Sequence, residues 1–186
     1  SLLLEGREDF VIQPDTYPAP PKHAKVKSGE VKEGDPLPWN NGAGICKEWL
    51  AANASDKIPL DSDEAARVRG MCAVLRADPE IAQFLKGQCE LSVFAEKDGR
   101  TMKCRIDTLP DGDEAPVIDF KKAKSANPEQ FVKQAYDLRY HLQAAHNLDV
   151  LRWAGIRRKE FWFVAIEDEA PFAYSILKYK DEPGTF

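Results

Sequence analysis

Apolar positions recur at every second residue on both sides of a Pro110-Asp111-Gly112-Asp113 cluster. Alternation interrupted by turn formers predicts two antiparallel strands and a reversal, here over 102–109 and 116–122. A third alternating run, 88–97 (QCELSVFAEK), closes at Asp98-Gly99 and extends the hairpin into a three-stranded meander. Near the C-terminus, FWFVAI at 161–166 is continuously apolar, as in a strand buried on both faces, and an alternating strand over 171–180 follows.

Helical spacing lies between these segments. Gly44–Asn53 places Trp49 one turn after Ile45. The stretch 61–78 opens on Asp61-Ser62-Asp63-Glu64, which has the form of a capping box, and continues with Val68, Met71, Cys72 and Leu75 at helical spacing. Pro79 starts a shorter helix that ends at Gly87. Asn127 as N-cap and Pro128 in the first turn predict one long helix running to about Leu148. Its apolar stripe is Phe131, Ala135, Leu138, Leu142 and Ala145, and a second stripe of Tyr136, Tyr140, Gln143 and Asn147 lies opposite. Strand, long helix and strand in that order imply a crossover and a parallel pair. The predicted class is α/β, a mixed β-sheet flanked by helices.

Two stretches fit no regular element. The opening SLLLEG reads as the end of an amphipathic helix whose beginning is missing. Residues 13–41 are rich in Pro, Lys and Gly and read as an extended or mobile excursion without a core, either a surface connection or a loop that grips a ligand. At 186 residues, 43% hydrophobic and 31% charged, the chain fits one soluble domain (1–186, N-terminally incomplete). No apolar run reaches the length of a membrane span, and the expected location is cytoplasmic. Cys46, Cys72, Cys89 and Cys104 form no CxxC pair, so free, mostly buried thiols are expected. A net charge of −5 argues against indiscriminate nucleic-acid binding, yet Lys121, Lys122 and Lys124 cluster, as do Arg152, Arg157, Arg158 and Lys159.

The first basic cluster adjoins the candidate chemistry. A hairpin symmetric about Asp113 sets Asp107 opposite Asp119 and Arg105 opposite Lys121. Asp119 and Lys121 share one strand face, Ile118 and Phe120 the other. Such crowded charges call for a divalent metal ion or a phosphate, or else form a solvated face laced with salt bridges. Glu90, near the start of the preceding strand, is either a third ligand or a solvated strand-end residue.

Taken in order, Lys47-Glu48-Trp49, Cys89-Glu90-Leu91-Ser92-Val93, Lys103-Cys104-Arg105-Ile106-Asp107, Val117-Ile118-Asp119-Phe120-Lys121, Tyr140-His141-Leu142-Gln143-Ala144-Ala145 and Phe163-Val164-Ala165-Ile166-Glu167 resemble the PD-(D/E)XK nucleases, specifically the RecE-like exodeoxyribonuclease VIII group. The resemblance implies a restriction-endonuclease-like core acting on DNA with Mg²⁺ or Mn²⁺. It makes Asp107, Asp119 and the Phe120 carbonyl metal ligands, Lys121 the group that orients and helps deprotonate water, and Gln143 the supporting residue of a Tyr-x-x-Gln motif. Hard oxygen ligands suit Mg²⁺ independently of any relative. Arg105, Lys122, Lys124 and Tyr140 are candidates for contacts to DNA.

The same resemblance implies exonucleolytic digestion of linear duplex ends, 5′ to 3′, releasing 5′-phosphorylated nucleotides in recombination or repair. It further implies a ring-shaped homo-oligomer and a single-strand-annealing partner protein. Three positions depart from the family pattern. A family His before a segment like Leu2-Leu3-Leu4-Glu5 is absent from the sequence, Lys122 stands where Thr is usual, and Asn147 replaces a Tyr. A nuclease of the same core preferring single strands, and a catalytically silent DNA-binding module, are the alternatives. Joint retention of Asp107, Asp119, Lys121 and Gln143 argues against silence.

Overall fold

The computed structural model describes residues 2–181; Ser1, the first residue of the SLLLEG opening, and residues 182–186 lie outside them. The described chain begins with a single helical turn, α1 (Leu2–Glu5). It forms two compact units, one built from Arg7–Val68 and the other from Leu2–Gly6 and the chain from Arg69 onward.

In the first unit, β1 (Phe10–Ile12) pairs in parallel with β4 (Ile58–Leu60), and β2 (Thr16–Pro18) pairs antiparallel with β3 (Pro36–Pro38). Between them lie α2 (Ala24–Lys27) and α3 (Gly44–Asn53). The 13–41 stretch, expected to pack no core, therefore contributes one: Tyr17, Ala19 and Leu37 bury against Cys46 of α3. Each short strand turns one apolar side chain inward between exposed neighbours. A two-stranded ribbon tolerates the flanking prolines because no third strand asks for their missing N–H. The predicted capping box is formed at the start of α4 (Ser62–Ala77), where Glu64 N–H donates to Asp61 Oδ1 at 2.7 Å and Asp61 N–H to Glu64 Oε2 at 3.1 Å.

The second unit is a five-stranded sheet in the order β5 (Gly87–Lys97), β6 (Arg100–Pro110), β7 (Val117–Ala123), β8 (Glu160–Glu167), β9 (Tyr174–Lys180). Only β7 and β8 run parallel, so the meander and the crossover are both as predicted. Asp98 and Gly99 take φ of 52° and 71°, the pair of positive values that a type I′ hairpin turn requires. Alternate residues of the all-buried β8 serve two cores. Phe161, Phe163 and Ala165 pack with Phe131, Ala144, Leu148 and Leu151 on one face. Trp162, Val164 and Ile166 pack with Leu75 and Ile81 on the other, the latter from α5 (Pro79–Ala82). That helix stops short of the predicted Gly87, and Phe84 and Leu85 reach the second core from a turn instead.

The predicted long helix is broken. α6 (Pro128–Asp137) and α7 (Tyr140–Trp153) meet at Arg139, whose φ of 57° is left-handed. The break resolves the conflict between the two stripes. α6 buries Phe131 and Ala135 of the first, whereas Leu138 and Leu142 of that stripe are exposed. α7 instead turns Gln143 and Asn147 of the second stripe inward, with Ala144 and Leu148 beside them. All four cysteines are free, three of them buried. No helix among the described residues is long and apolar enough to cross a membrane.

Candidate active site

The pairing of Thr108 with Ile118 sets the register that places Asp107 opposite Asp119. Among the described residues this is the one ladder pair between β6 and β7, so the regular ladder opens beside it. In the opening, the Phe120 N–H donates to Asp107 Oδ2 at 2.9 Å, a side-chain acceptor where the ladder would otherwise supply a carbonyl. Strand alternation slips here as well. Cys104, Ile106 and Leu109 all join the same core, although Ile106 and Leu109 are an odd number of residues apart. On the neighbouring strand Glu90, bracketed by the pairs Cys89 with Thr108 and Leu91 with Ile106, takes a left-handed φ of 52°. The kink and the splayed strands make room for two carboxylates.

Asp119 is 4% exposed. Its Oδ1 accepts from Gln143 Nε2 at 2.8 Å, and Lys121 Nζ lies 2.5 Å from Oδ2 as an ion pair. That second contact lacks hydrogen-bond geometry, which leaves Oδ2 buried without a hydrogen bond. The ammonium of Lys121 sits 5.1 Å from the centroid of the Tyr140 ring and 5.9 Å from that of Phe163, rings that stack on each other at 5.1 Å. The cation is thus held by one carboxylate and two aromatic faces.

Burial raises the Asp107 carboxyl pKa above its ordinary value, the charge of Asp119 raises it further, and the Phe120 N–H and Lys121 oppose both. A carboxyl whose folded pKa is raised stabilises the fold through its protonated form. That contribution is full below the unfolded pKa and is lost as pH rises through the folded value. At about pH 7 the ionised Asp107 therefore weighs against the fold. Asp107→Asn is expected to raise Tm at that pH, with the advantage shrinking on acidification toward about pH 4. A lower Tm for the variant at neutral pH, measured without divalent ions, would contradict this assignment.

Two adjacent carboxylates that share a single ammonium, with Asp107 pushed up by burial and by the charge of Asp119, fit a divalent cation. Their oxygen chemistry suits Mg²⁺ or Mn²⁺, since Mg²⁺ takes one or two carboxylates and leaves its other positions to water and phosphate. Asp107 and Asp119 are the side chains able to hold it, and the Phe120 carbonyl is the further ligand that the resemblance implies. Glu90 does not complete a cage. Among the described residues no three His, Cys, Asp or Glu side chains gather at metal-binding range. Its carboxylate instead accepts from Arg105 at 2.8 Å (Nε), with Nη2 at 2.7 Å.

The other candidates are placed unevenly. The expected neighbourhood of Arg105 and Lys121 gives way to the Arg105–Glu90 pair, because the ladder has ended there. Lys122 pairs with Asp168 at 2.8 Å and shares a surface depression with the exposed Lys124. Tyr140 is half-buried against Phe163 and serves Lys121 as a platform, which limits it as a contact to DNA. Of the second basic cluster, Arg152 pairs with Asp149 and Asp181, Lys159 with Glu114, and Arg158 donates to the Pro110 carbonyl at 3.1 Å. Sequence reasoning missed Phe163 as a support of the site. Only the parallel register, which pairs it with Asp119, could reveal it.

Among solved structures, a Eubacterium rectale protein described as a candidate exonuclease is similar over 74% of this chain and 54% of its own length, with a TM-score of 0.55 and 15% identity. At that identity the likeness concerns the fold, and this chain spans about half of that protein. No curated protein matches. Residues 23–184 match the family described as a PDDEXK-like domain of unknown function (DUF3799). Strand order, mixed sheet and flanking helices agree with that match, and the chain belongs to this PDDEXK-like family, with its restriction-endonuclease-like fold.

Proposed function

We propose that the domain is a nuclease that hydrolyses DNA phosphodiester bonds with Mg²⁺ or Mn²⁺, and that it acts as an exonuclease of the RecE-like exodeoxyribonuclease VIII type. The observation that carries this reading is the convergence of Asp107, Asp119, Lys121 and Gln143 where β6 and β7 separate. Asp107, Asp119 and the Phe120 carbonyl would hold the cation. When bound, the metal supplies charge stabilisation at the scissile phosphate and lowers the pKa of its water. Gln143 fixes the orientation of Asp119 by donating to Oδ1, which leaves Oδ2 to Lys121 and to the cation. Lys121, ion-paired to Asp119 at 2.5 Å, orients the attacking water and the phosphate oxygen. Arg105, Lys122 and Lys124 are exposed and can exchange their present partners for phosphates at little cost.

The proposal extends to linear duplex ends as substrate, to 5′-to-3′ polarity, and to a homo-oligomer working beside a single-strand-annealing partner. Linear duplex, single strand and closed circle, each end- or body-labelled, are to be incubated with the protein and Mg²⁺. Consumption of linear duplex with release of 5′-phosphorylated mononucleotides, and survival of the circle, is expected. Cutting of the circle would overturn the exonuclease part, and no cutting of any substrate would overturn the nuclease part.

A further inference from the structure

Beside the acid pair, a groove of about 470 Å³ opens between the α6–α7 joint and the outer strands, walled by Val132, Tyr136, His141 and Leu142 and floored by Phe163 and Leu177. Its walls are unusually bare. Val132, Tyr136 and Leu142 are all exposed, Tyr136 at 74%, and the Tyr136 ring stacks on His141 with centroids 5.9 Å apart. Contiguous exposed apolar and aromatic side chains of this kind mark a contact surface.

Register ties the groove to the site. Asp119 pairs with Phe163, and Phe163 with Leu177. The floor therefore lies one and two strand spacings from the acid, roughly 5 and 10 Å. Phe163 borders both places, since the same ring lies 5.9 Å from Lys121 Nζ. A strand whose phosphate sits at Asp119 can reach the groove with the base of one nucleotide. The walls offer aromatic and aliphatic surface, with the Tyr136 hydroxyl and the His141 ring among the few polar groups and Lys178 at the outer edge. They suit the π-face that every base shares more than any one base edge. Along the outer edge β9 carries Lys178 and Lys180, charges that discourage strand-to-strand pairing with another copy.

We infer that this groove receives an unstacked nucleobase of the strand being cut. The inference rests on the nuclease reading and adds to it the form of the substrate, a single-stranded or frayed end. Binding of dye-labelled oligothymidylate and of an abasic-spacer oligomer of equal length is to be measured by anisotropy in EDTA, so that nothing is cut. The wild type is expected to bind the base-bearing oligomer at least roughly tenfold more tightly than the abasic one. Tyr136→Ala, which removes an exposed ring that no core requires, is expected to abolish that preference while leaving abasic binding unchanged, and Leu142→Ala to reduce it. Equal wild-type affinity for both oligomers, or an undiminished preference in Tyr136→Ala, overturns the inference and leaves the nuclease reading intact. Binding of neither oligomer overturns both. Self-association without DNA that Tyr136→Ala dissolves, read by sedimentation, assigns the groove to a second copy and also overturns it.

Discussion

Asp119→Asn is expected to reduce phosphodiester cleavage by about a thousandfold or more while leaving the circular dichroism spectrum unchanged. The asparagine keeps the shape and still accepts from Gln143, so the geometry of the β7–α7 contact survives. What disappears is the charge shared between the proposed metal site and Lys121, whose ammonium lies 2.5 Å from Oδ2. Removing one partner of a buried ion pair weakens the hold on the other, at a cost of up to about 3 kcal/mol, reduced here because Lys121 also interacts with Asp107. Tyr140 and Phe163 offset part of that through their ring faces. Adding Lys121→Met to Asp119→Asn is therefore expected to recover stability in urea without recovering cleavage, a non-additivity that separates the two roles of the carboxylate. If the single variant still cut DNA at near wild-type rate, Asp119 would have no place in the chemistry.

Gly87→Ala is expected to be the most damaging single methyl in the second unit. Gly87 starts β5 opposite Pro110 with a φ of 137°, a conformation that L side chains rarely adopt. An added Cβ would stand 2.3 Å from the Leu109 carbonyl oxygen and 2.7 Å from the Pro110 Cα. Both neighbours are backbone, so no side chain can swing aside. Strain and clash together predict a loss of about 3 kcal/mol or more, read as a lowered urea midpoint. The displaced segment is the end of β6, two residues past Asp107, so cleavage should fall along with stability. A change under about 0.5 kcal/mol would mean that the β5–β6 junction is far softer than its contacts indicate.

These two sites differ in how far the sequence announces them. The hairpin register could be read from the turn cluster and the alternation, and it brought Asp107 to Asp119 because period-two patterning and a turn leave little freedom once one face is apolar. Gly87 carried only the mark of a helix end. Its close approach to Pro110 involves residues 23 positions apart in the chain, and no local pattern encodes such a contact.

The broken helix and the 13–41 stretch are cases of competition between local and distant terms. Both stripes over 128–148 were visible, but an unbroken helix cannot bury both against one sheet, and only the sheet decides that Arg139 bends so each half buries its own. In 13–41, composition suggested no core, yet Tyr17 and Leu37 find Cys46 of α3 as a common partner. Glu90 and Arg105 show the same limit for charges. Each was a reasonable candidate by position, and the left-handed turn at Glu90 joined them to each other.

The amino-acid sequence by itself determined the order and type of the five strands of the second unit, the caps at the starts of α4 and α6, the α/β class and the opposition of the acids, because these follow from nearest-neighbour sterics and periodic burial, whereas the four short strands of the first unit carried no such pattern. Tertiary structure alone decided where β6 leaves β7, that Gln143 and Lys121 close on the same carboxylate, and that Phe163 supports the lysine from an adjacent parallel strand. Those outcomes depend on the balance of packing and desolvation among segments remote in the chain, which acts only once the sheet has assembled.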